Sequence, residues 1–476
     1  MAEKMSRFVS LPQDPPEKRT AAERAGDFDE VYREYAGRKA AEQAARCSQC
    51  GVPFCQIHCP LHNNIPDWLR LVAEGRLEEA YELSSATNTF PEICGRICPQ
   101  DRLCERGCVI EQSGHGAVTI GAIEKHITET AWASGWVRGP RPVAARRQSV
   151  GIIGAGPAGL AAADRLRGLG YGVHVYDRHD RPGGLLIYGI PNFKLEKQGV
   201  ERRTRLLAES GVMFHLGFEV GRNATLDELR ARHEALLIAT GVYKARGLQV
   251  PGAGLGNIEP AMTYLTASNR KGLGDRVPDF DSGLLNAAGK RVVVIGGGDT
   301  AMDCVRTAVR QGAASVECLY RRDRANMPGS AREVRNAEEE GVRFSWLTRP
   351  LAFLGEDRVA AVRAGRMRLG HVDASSRQAP VEIEGADFEQ PADLVVQALG
   401  FDPEDLPSLF GAPDLVVTRA GTIETAARSR MTSLPGVFAA GDIVRGASLV
   451  VWAVRDGRDV ADAMHRYLEA RAREAA

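Results

Sequence analysis

Apolar and polar positions along this chain fall into two textures. In the first, Ile65-Pro66-Asp67-Trp68-Leu69-Arg70-Leu71-Val72 and the stretch Leu77 to Leu83 carry apolar residues at helical spacing. Asp67 after Pro66 reads as a helix start. Gly139-Pro140-Arg141-Pro142 then reads as a linker. In the second texture, short apolar runs alternate with glycine turns and Ala-rich helices. Ser149-Val150-Gly151-Ile152-Ile153 predicts a strand, followed by a helix to about Leu169 and a second strand, Val173 to Asp177. The same order returns with a strand over Arg291 to Ile295, a helix through Val309 and a strand over Ser315 to Tyr320. Strand–turn–helix–strand units of this kind build parallel α/β sheets. The predicted fold class is therefore α/β, with two Rossmann-like dinucleotide-binding domains preceded by a mostly helical region.

The turns of the two units carry the chemistry. The first reads Gly154-Ala155-Gly156-Pro157-Ala158-Gly159. Gly154 permits the tight turn, Gly156 lets backbone approach a pyrophosphate, and Gly159 lets the helix pack on the strand. The helix N-terminus stabilises the phosphate charge. Asp177 ends the next strand, where a carboxylate accepts hydrogen bonds from a ribose diol. The second turn is Gly296-x-Gly298-Asp299-Thr300-Ala301, and its strand ends in Arg321-Arg322 instead of an acid. Guanidinium donors suit a 2′-phosphate, so the second site reads as NADPH. The plainer alternatives are a structural turn at the first site and a solvated basic pair at the second. The first site is left for the other dinucleotide, FAD. Val437 to Asp442 adds a strand ending in Gly441-Asp442, an element similar to the one that holds the ribityl chain in two-dinucleotide flavoprotein reductases. Ala239-Thr240-Gly241 and Ala398-Leu399-Gly400 each close an apolar strand and read as crossing points between two nucleotide domains.

Ten cysteines are present, and eight lie between Cys47 and Cys108. Cys47, Cys50, Cys55 and Cys59 are spaced C-x2-C-x4-C-x3-C with Pro60 next; Cys94, Cys98, Cys104 and Cys108 are spaced C-x3-C-x5-C-x3-C with Pro99 after Cys98. Eight thiolates match two [4Fe–4S] clusters. In two-cluster ferredoxins the cysteine before the proline serves the other cluster. That logic groups Cys47, Cys50 and Cys55 with Cys108, and Cys59 with Cys98, Cys104 and Cys94; Glu124 is the reserve ligand for Cys94. Zinc prefers pairs of C-x2-C type, of which there is one here, and free thiols remain the plainest alternative. Cys304 and Cys318 sit among apolar neighbours and read as small buried hydrophobes.

Composition narrows the function. Lys+Arg and Asp+Glu each number 61, which argues against a general nucleic-acid binder. No apolar run reaches transmembrane length and no secretory pattern opens the chain, so a cytoplasmic protein without a membrane partner is expected. In that compartment a cysteine block is not a disulfide framework.

Taken together, Cys47-Ser48-Gln49-Cys50-Gly51, the stretch Cys94 to Cys104, Gly183-Gly184-Leu185-Leu186-Ile187-Tyr188-Gly189-Ile190-Pro191 and Gly441-Asp442 resemble the glutamate synthase small subunit family. A wider group shares the arrangement, including the electron-input part of dihydropyrimidine dehydrogenase and ferredoxin-linked NADPH flavoproteins. The choice within it rests on Pro99-Gln100-Asp101-Arg102 and Tyr188-Gly189-Ile190-Pro191. The resemblance implies a helical iron–sulfur domain at 1–145, a discontinuous FAD domain at 146–250 and 403–476, and an NADPH domain at 251–402. It implies that NADPH reduces FAD and that two clusters pass single electrons to a large (α) subunit. That partner would carry the glutaminase and FMN sites and make L-glutamate from L-glutamine and 2-oxoglutarate. Gly184, Leu185, Thr240 and Gly241 join the expected FAD contacts. No catalytic acid–base residue is expected; Lys194 and Glu196 are either flavin-lining or surface charges. Two other functions compete: an NADPH-linked subunit serving ferredoxin or a dihydropyrimidine-reducing partner, and a zinc-stabilised regulatory flavoprotein without turnover.

Overall fold

The computed structural model describes residues 4–142, 144–372 and 378–474. Its N-terminal third is helical. Ile65–Ala73 forms a helix because Ile65, Trp68, Leu69 and Val72 make one apolar stripe, and all four are buried. The helix begins two residues before Asp67, with Pro66 inside its first turn. There proline's missing N–H has no helical partner to lose. Gly75, at φ 79°, ends it in the left-handed conformation that closes many helices. Helices Leu77–Thr87, Pro91–Ile97 and Ile120–Ala133 complete this region.

Two five-stranded parallel sheets follow. The first has the order Val437–Ala439, Ala235–Ile238, Ser149–Ile153, Gly172–Asp177, Val212–Leu216. The second has the order Ile258–Pro260, Leu394–Gln397, Arg291–Ile295, Ser315–Tyr320, Arg343–Trp346. In each, the chain runs outward from the glycine-turn strand and then returns to its other side. That reversal is the switch point beside which open α/β sheets bind ligands. The chain leaves the first sheet after Ile238 and comes back after Gln397. The two crossing segments, Lys244–Ala245 and Phe401–Asp402, pair antiparallel with each other. An antiparallel three-stranded sheet, Thr348–Gly355, Val359–Val372 and Gln378–Pro391, is inserted in the second unit ahead of Leu394.

The helical region is docked on the first unit by both apolar and ionic contacts. Phe90, Ile93 and Cys94 enter the same core as Val150, Leu160 and Val173. Arg203, on helix Lys197–Glu209, donates to Glu92 through Nε at 2.6 Å and Nη2 at 2.9 Å, and both side chains are buried. Residues near the N-terminus strap the second unit as well: buried Arg24 donates to Glu340 at 2.8 Å and Glu339 at 2.7 Å.

Removing one partner of a buried ion pair leaves the other charge uncompensated. Glu92→Gln or Arg203→Met alone is therefore expected to destabilise the protein by about 3–5 kcal/mol. The double change Glu92→Leu/Arg203→Met should recover most of that loss. Thermal unfolding of the anaerobic protein measures it, and a double variant as unstable as either single one would contradict the account.

Candidate functional site

The first glycine turn is shaped by close backbone approach. Gly154 has φ +111°, and a Cβ there would lie 2.3 Å from the Ala239 carbonyl oxygen across the switch point. A Cβ at Gly159 would lie 1.9 Å from the Gly154 carbonyl oxygen. At Gly156 no atom stands within 4 Å of a built Cβ, so that side of the loop is open. Asp177 accepts from the Ala155 N–H at 2.7 Å and the His179 N–H at 2.8 Å, which ties the glycine loop to the end of the second strand. The Thr240 hydroxyl is buried and has no hydrogen-bond partner. Such a group calls for a polar atom from a ligand or water. Asp442 opens a short helix after Gly441; burial pushes its carboxyl up to about 6, against the hydrogen bond from the Ser448 backbone.

The second turn repeats this geometry. A Cβ at Gly296 would lie 2.3 Å from the Ala398 carbonyl oxygen, while Gly298 is open. Asp299 accepts from the Ser330 N–H at 2.9 Å, and Ala301 is fully buried against the strand. The two arginines at the strand end part company. Arg321 is exposed, whereas Arg322 is buried and its Nε donates to the Gln378 carbonyl at 2.8 Å.

Five of the clustered cysteines are raised by burial and by neighbouring thiols or carboxylates. Cys55 is pushed up to about 12, first by burial and then by Cys47, Cys108 and Cys50. Cys47 is pushed up to about 11, first by burial and also by Cys108 and Cys50. Cys59 is raised to about 11 by burial first, and further by Glu124 and Cys94. Cys98 has Cys94, Glu124 and Cys59 around it. Cys104 is raised by burial first, then by Glu105, Cys59, Glu124 and Cys55, so it neighbours thiols of both spaced sets. Donors already point at sulfur: Gln49 Nε2 lies 3.3 Å from Cys47 Sγ, and Ser48 Oγ 3.1 Å from Cys50 Sγ. Glu124 is buried, takes hydrogen bonds from Asn63 at 3.4 Å and Asn88 at 3.2 Å, and is raised to about 8 by burial. Among the described residues no three Cys, His, Asp or Glu side chains converge tightly enough to hold one metal ion. A four-iron cube seats each thiolate on a different iron, so its ligands stand wider apart than those around one zinc. Cys304 and Cys318 are fully buried.

One cavity of about 1030 Å³ joins these parts. Gly154, Gly156, Pro157, Ala158, Asp177, Leu185, Thr240, Gly241, Gly441 and Asp442 line it from the first unit, Asp299 and Thr300 from the second, and Cys98 from the helical region. Ala155, Gly159 and Gly184 are not among its lining residues. Gly296, Gly298, Arg321 and Arg322 lie outside the cavity. Lys194 is in the wall and Glu196 is not. The sequence reading missed Asp303 and Glu333, which face Lys194, and the bridge in which Arg332 holds Gln100 at 3.1 Å and Glu105 at 2.9 Å. Charged residues on amphipathic helices carry no local signal of a distant partner.

Two family models match. Residues 24–136 match the dihydropyrimidine dehydrogenase domain II, 4Fe-4S cluster family, and residues 148–457 match pyridine nucleotide-disulphide oxidoreductases. FprA from Mycobacterium tuberculosis, solved in complex with NADPH, superposes with a TM-score of 0.59 at 22% identity, covering 69% of this chain and 86% of that one; the likeness is one of fold. Fold and site thus define a pyridine-nucleotide oxidoreductase with a 4Fe–4S domain at its head. The glutamate synthase [NADPH] small chain of Azospirillum brasilense is 64% identical over 99% of this chain and 98% of its own length. That of Escherichia coli K12 is 43% identical over 98% of this chain and its own full length. The chain belongs to the glutamate synthase [NADPH] small chain family, and its role is NADPH-linked electron transfer. Among the described residues no helix is long and apolar enough to cross a membrane.

The two loop glycines should fail differently. Gly159→Ala forces a methyl into the Gly154 carbonyl and should lower thermal stability. Gly156→Ala adds a methyl to open space and should leave stability within about 1 kcal/mol while weakening flavin retention. Melting temperature and bound-flavin absorbance check both, and equal loss of stability would contradict the geometry.

Proposed function

We propose that this chain is the electron-input subunit of glutamate synthase, with FAD on the first glycine loop, NADPH on the second and two [4Fe–4S] clusters on the eight cysteines. When bound, these groups supply hydride donation, conversion of a two-electron input to single electrons, and onward one-electron carriage. The observation that carries the reading is the single cavity bounded by Asp442, Asp299 and Cys98, one residue from each region. We place the boundaries at 1–145, 146–250 with 403–476, and 251–402.

The chain's residues bind and position. Gly156 and the N-terminus of helix Pro157–Gly168 receive the pyrophosphate of FAD, and Asp177 faces its ribose. The unpaired Thr240 hydroxyl and Asp442 supply polar contacts deeper in the cavity. Arg321 is exposed and reads the 2′-phosphate of NADPH; Arg322 holds the strand end through Gln378. Hydride transfer needs no acid–base side chain, and none is assigned. Cys47, Cys50, Cys55 and Cys108 hold one cluster; Cys59, Cys94, Cys98 and Cys104 hold the other. Glu124 is left as a buried hydrogen-bonded neighbour. Cys98 lines the cavity, which supports placing the second group beside the flavin. The partner is the large subunit with glutaminase and FMN sites. The 4Fe-4S family description also fits a dihydropyrimidine-reducing partner, and identity of the captured partner decides between them.

Anaerobic protein should contain about eight irons per chain. Cys47→Ser and Cys108→Ser should damage one centre, and Cys59→Ser and Cys104→Ser the other. Cluster-resolved electron paramagnetic resonance checks the grouping, and Cys47→Ser and Cys108→Ser striking different centres would overturn it.

The functional test uses purified chain with NADPH, L-glutamine and 2-oxoglutarate, with and without a glutamate synthase large subunit. Alone, the chain should oxidise NADPH with artificial acceptors and form no glutamate; with the large subunit, glutamate should appear. Glutamate from the chain alone, or no complex with the large subunit, refutes the reading.

A further inference from the structure

Lys194 and its neighbours do something that binding the nucleotides does not require. Lys194 follows the Gly183–Pro191 stretch of the first unit. Its Nζ lies 2.9 Å from Asp303 and 3.7 Å from Glu333, both in the second unit. Phe193, the preceding residue, lies beneath the guanidinium groups of Arg306 at 4.6 Å and Arg310 at 3.9 Å. Asp303, Arg306 and Arg310 stand at i, i+3 and i+7 on helix Asp299–Arg310, so two adjacent residues of the first unit grip one face of that helix. The helix starts at the second glycine loop, where a pyrophosphate would sit. A helix is rigid over two turns, so pinning Asp303 pins the loop.

The grip is largely buried. Asp303 is buried, and Lys194 and Asp303 both line the shared cavity. Burial alone would lower the Lys194 pKa, but Asp303, Glu333 and Asp299 outweigh it and keep the ammonium charged. The loop is braced on its other side: Asn192 Nδ2 donates to the Phe28 carbonyl at 3.0 Å, and the Val31 N–H donates to the Phe193 carbonyl at 3.2 Å.

We propose that Lys194 is a positioning residue for hydride transfer, acting through Asp303 to set the helix that carries NADPH against the cavity that carries the flavin. The proposal rests on the assignment of the two loops to FAD and NADPH. Hydride transfer depends steeply on approach, and a misplacement of about 1 Å costs about a hundredfold in rate. A pure charge effect on NADPH affinity predicts something else: Lys194→Met would weaken binding, Asp303→Asn would tighten it, and the rate at saturation would not change.

The experiment is anaerobic stopped-flow reduction of the full flavin- and cluster-loaded chain by NADPH. It is run for wild type, Lys194→Met, Asp303→Asn, the double variant and Lys194→Arg. Flavin bleaching gives the limiting rate, its dependence on NADPH gives the apparent Kd, and the long-wavelength absorbance between reduced flavin and NADP⁺ reports stacking. The expected result is a limiting rate about ten- to a hundredfold lower in both single variants. The double variant should be no slower than either, because the pair acts as one unit. The stacking absorbance should be lost, and Lys194→Arg should recover most of both. Opposite Kd shifts at an unchanged limiting rate, additive losses, or loss of flavin or of thermal stability in Asp303→Asn and Lys194→Arg as well would overturn the proposal. Failure of NADPH to reduce the wild-type flavin would instead sink the cofactor assignment beneath it.

Discussion

The ion pair between Arg203 and Glu92 is the contact on which the rest of the arrangement depends. Two charges held almost wholly out of water need each other, and Arg203 also lies over the Phe90 and Trp132 rings. The pair therefore seats helix Pro91–Ile97 on the first sheet in a single register. Phe90, Ile93 and Cys94 then complete that sheet's core, and Cys98 at the end of the same helix comes to face the cavity. A looser apolar contact would hold the two regions together without specifying where the thiols point.

The two sheets share one architecture. Their strand orders correspond, and in both the glycine after the first strand abuts a carbonyl across the switch point. The difference lies at the end of the second strand. Asp177 there is buried and hydrogen-bonded to its own glycine loop, and Arg321 in the other unit is exposed. The first end is preorganised to accept hydrogen bonds, and the second offers a free-standing cation to solvent. The helical region adds a third wall through Arg332, Gln100 and Glu105, which ties the loop after Cys98 to the second unit.

Sequence periodicity located both glycine turns, their flanking strands and the buried helix Ile65–Ala73, because those features arise from contacts between near neighbours. It misplaced the start of that helix, since proline inside a first turn looks like proline before one. The antiparallel sheet of Thr348–Gly355, Val359–Val372 and Gln378–Pro391 had no early reading, because its part-exposed strands lack the continuous apolar run that marks a buried parallel strand.

By itself, then, the sequence determined the chemistry of the donors: eight thiols in two spaced sets, two glycine turns, an acid after one and arginines after the other. Each follows from residue type and short spacing, which covalent connectivity preserves. Tertiary structure alone decided their use. It buried Arg322 and left Arg321 exposed, and it brought Lys194 onto Asp303, 109 residues away. Those outcomes depend on which charges can share a site without water, and that is set only when separate elements pack against one another.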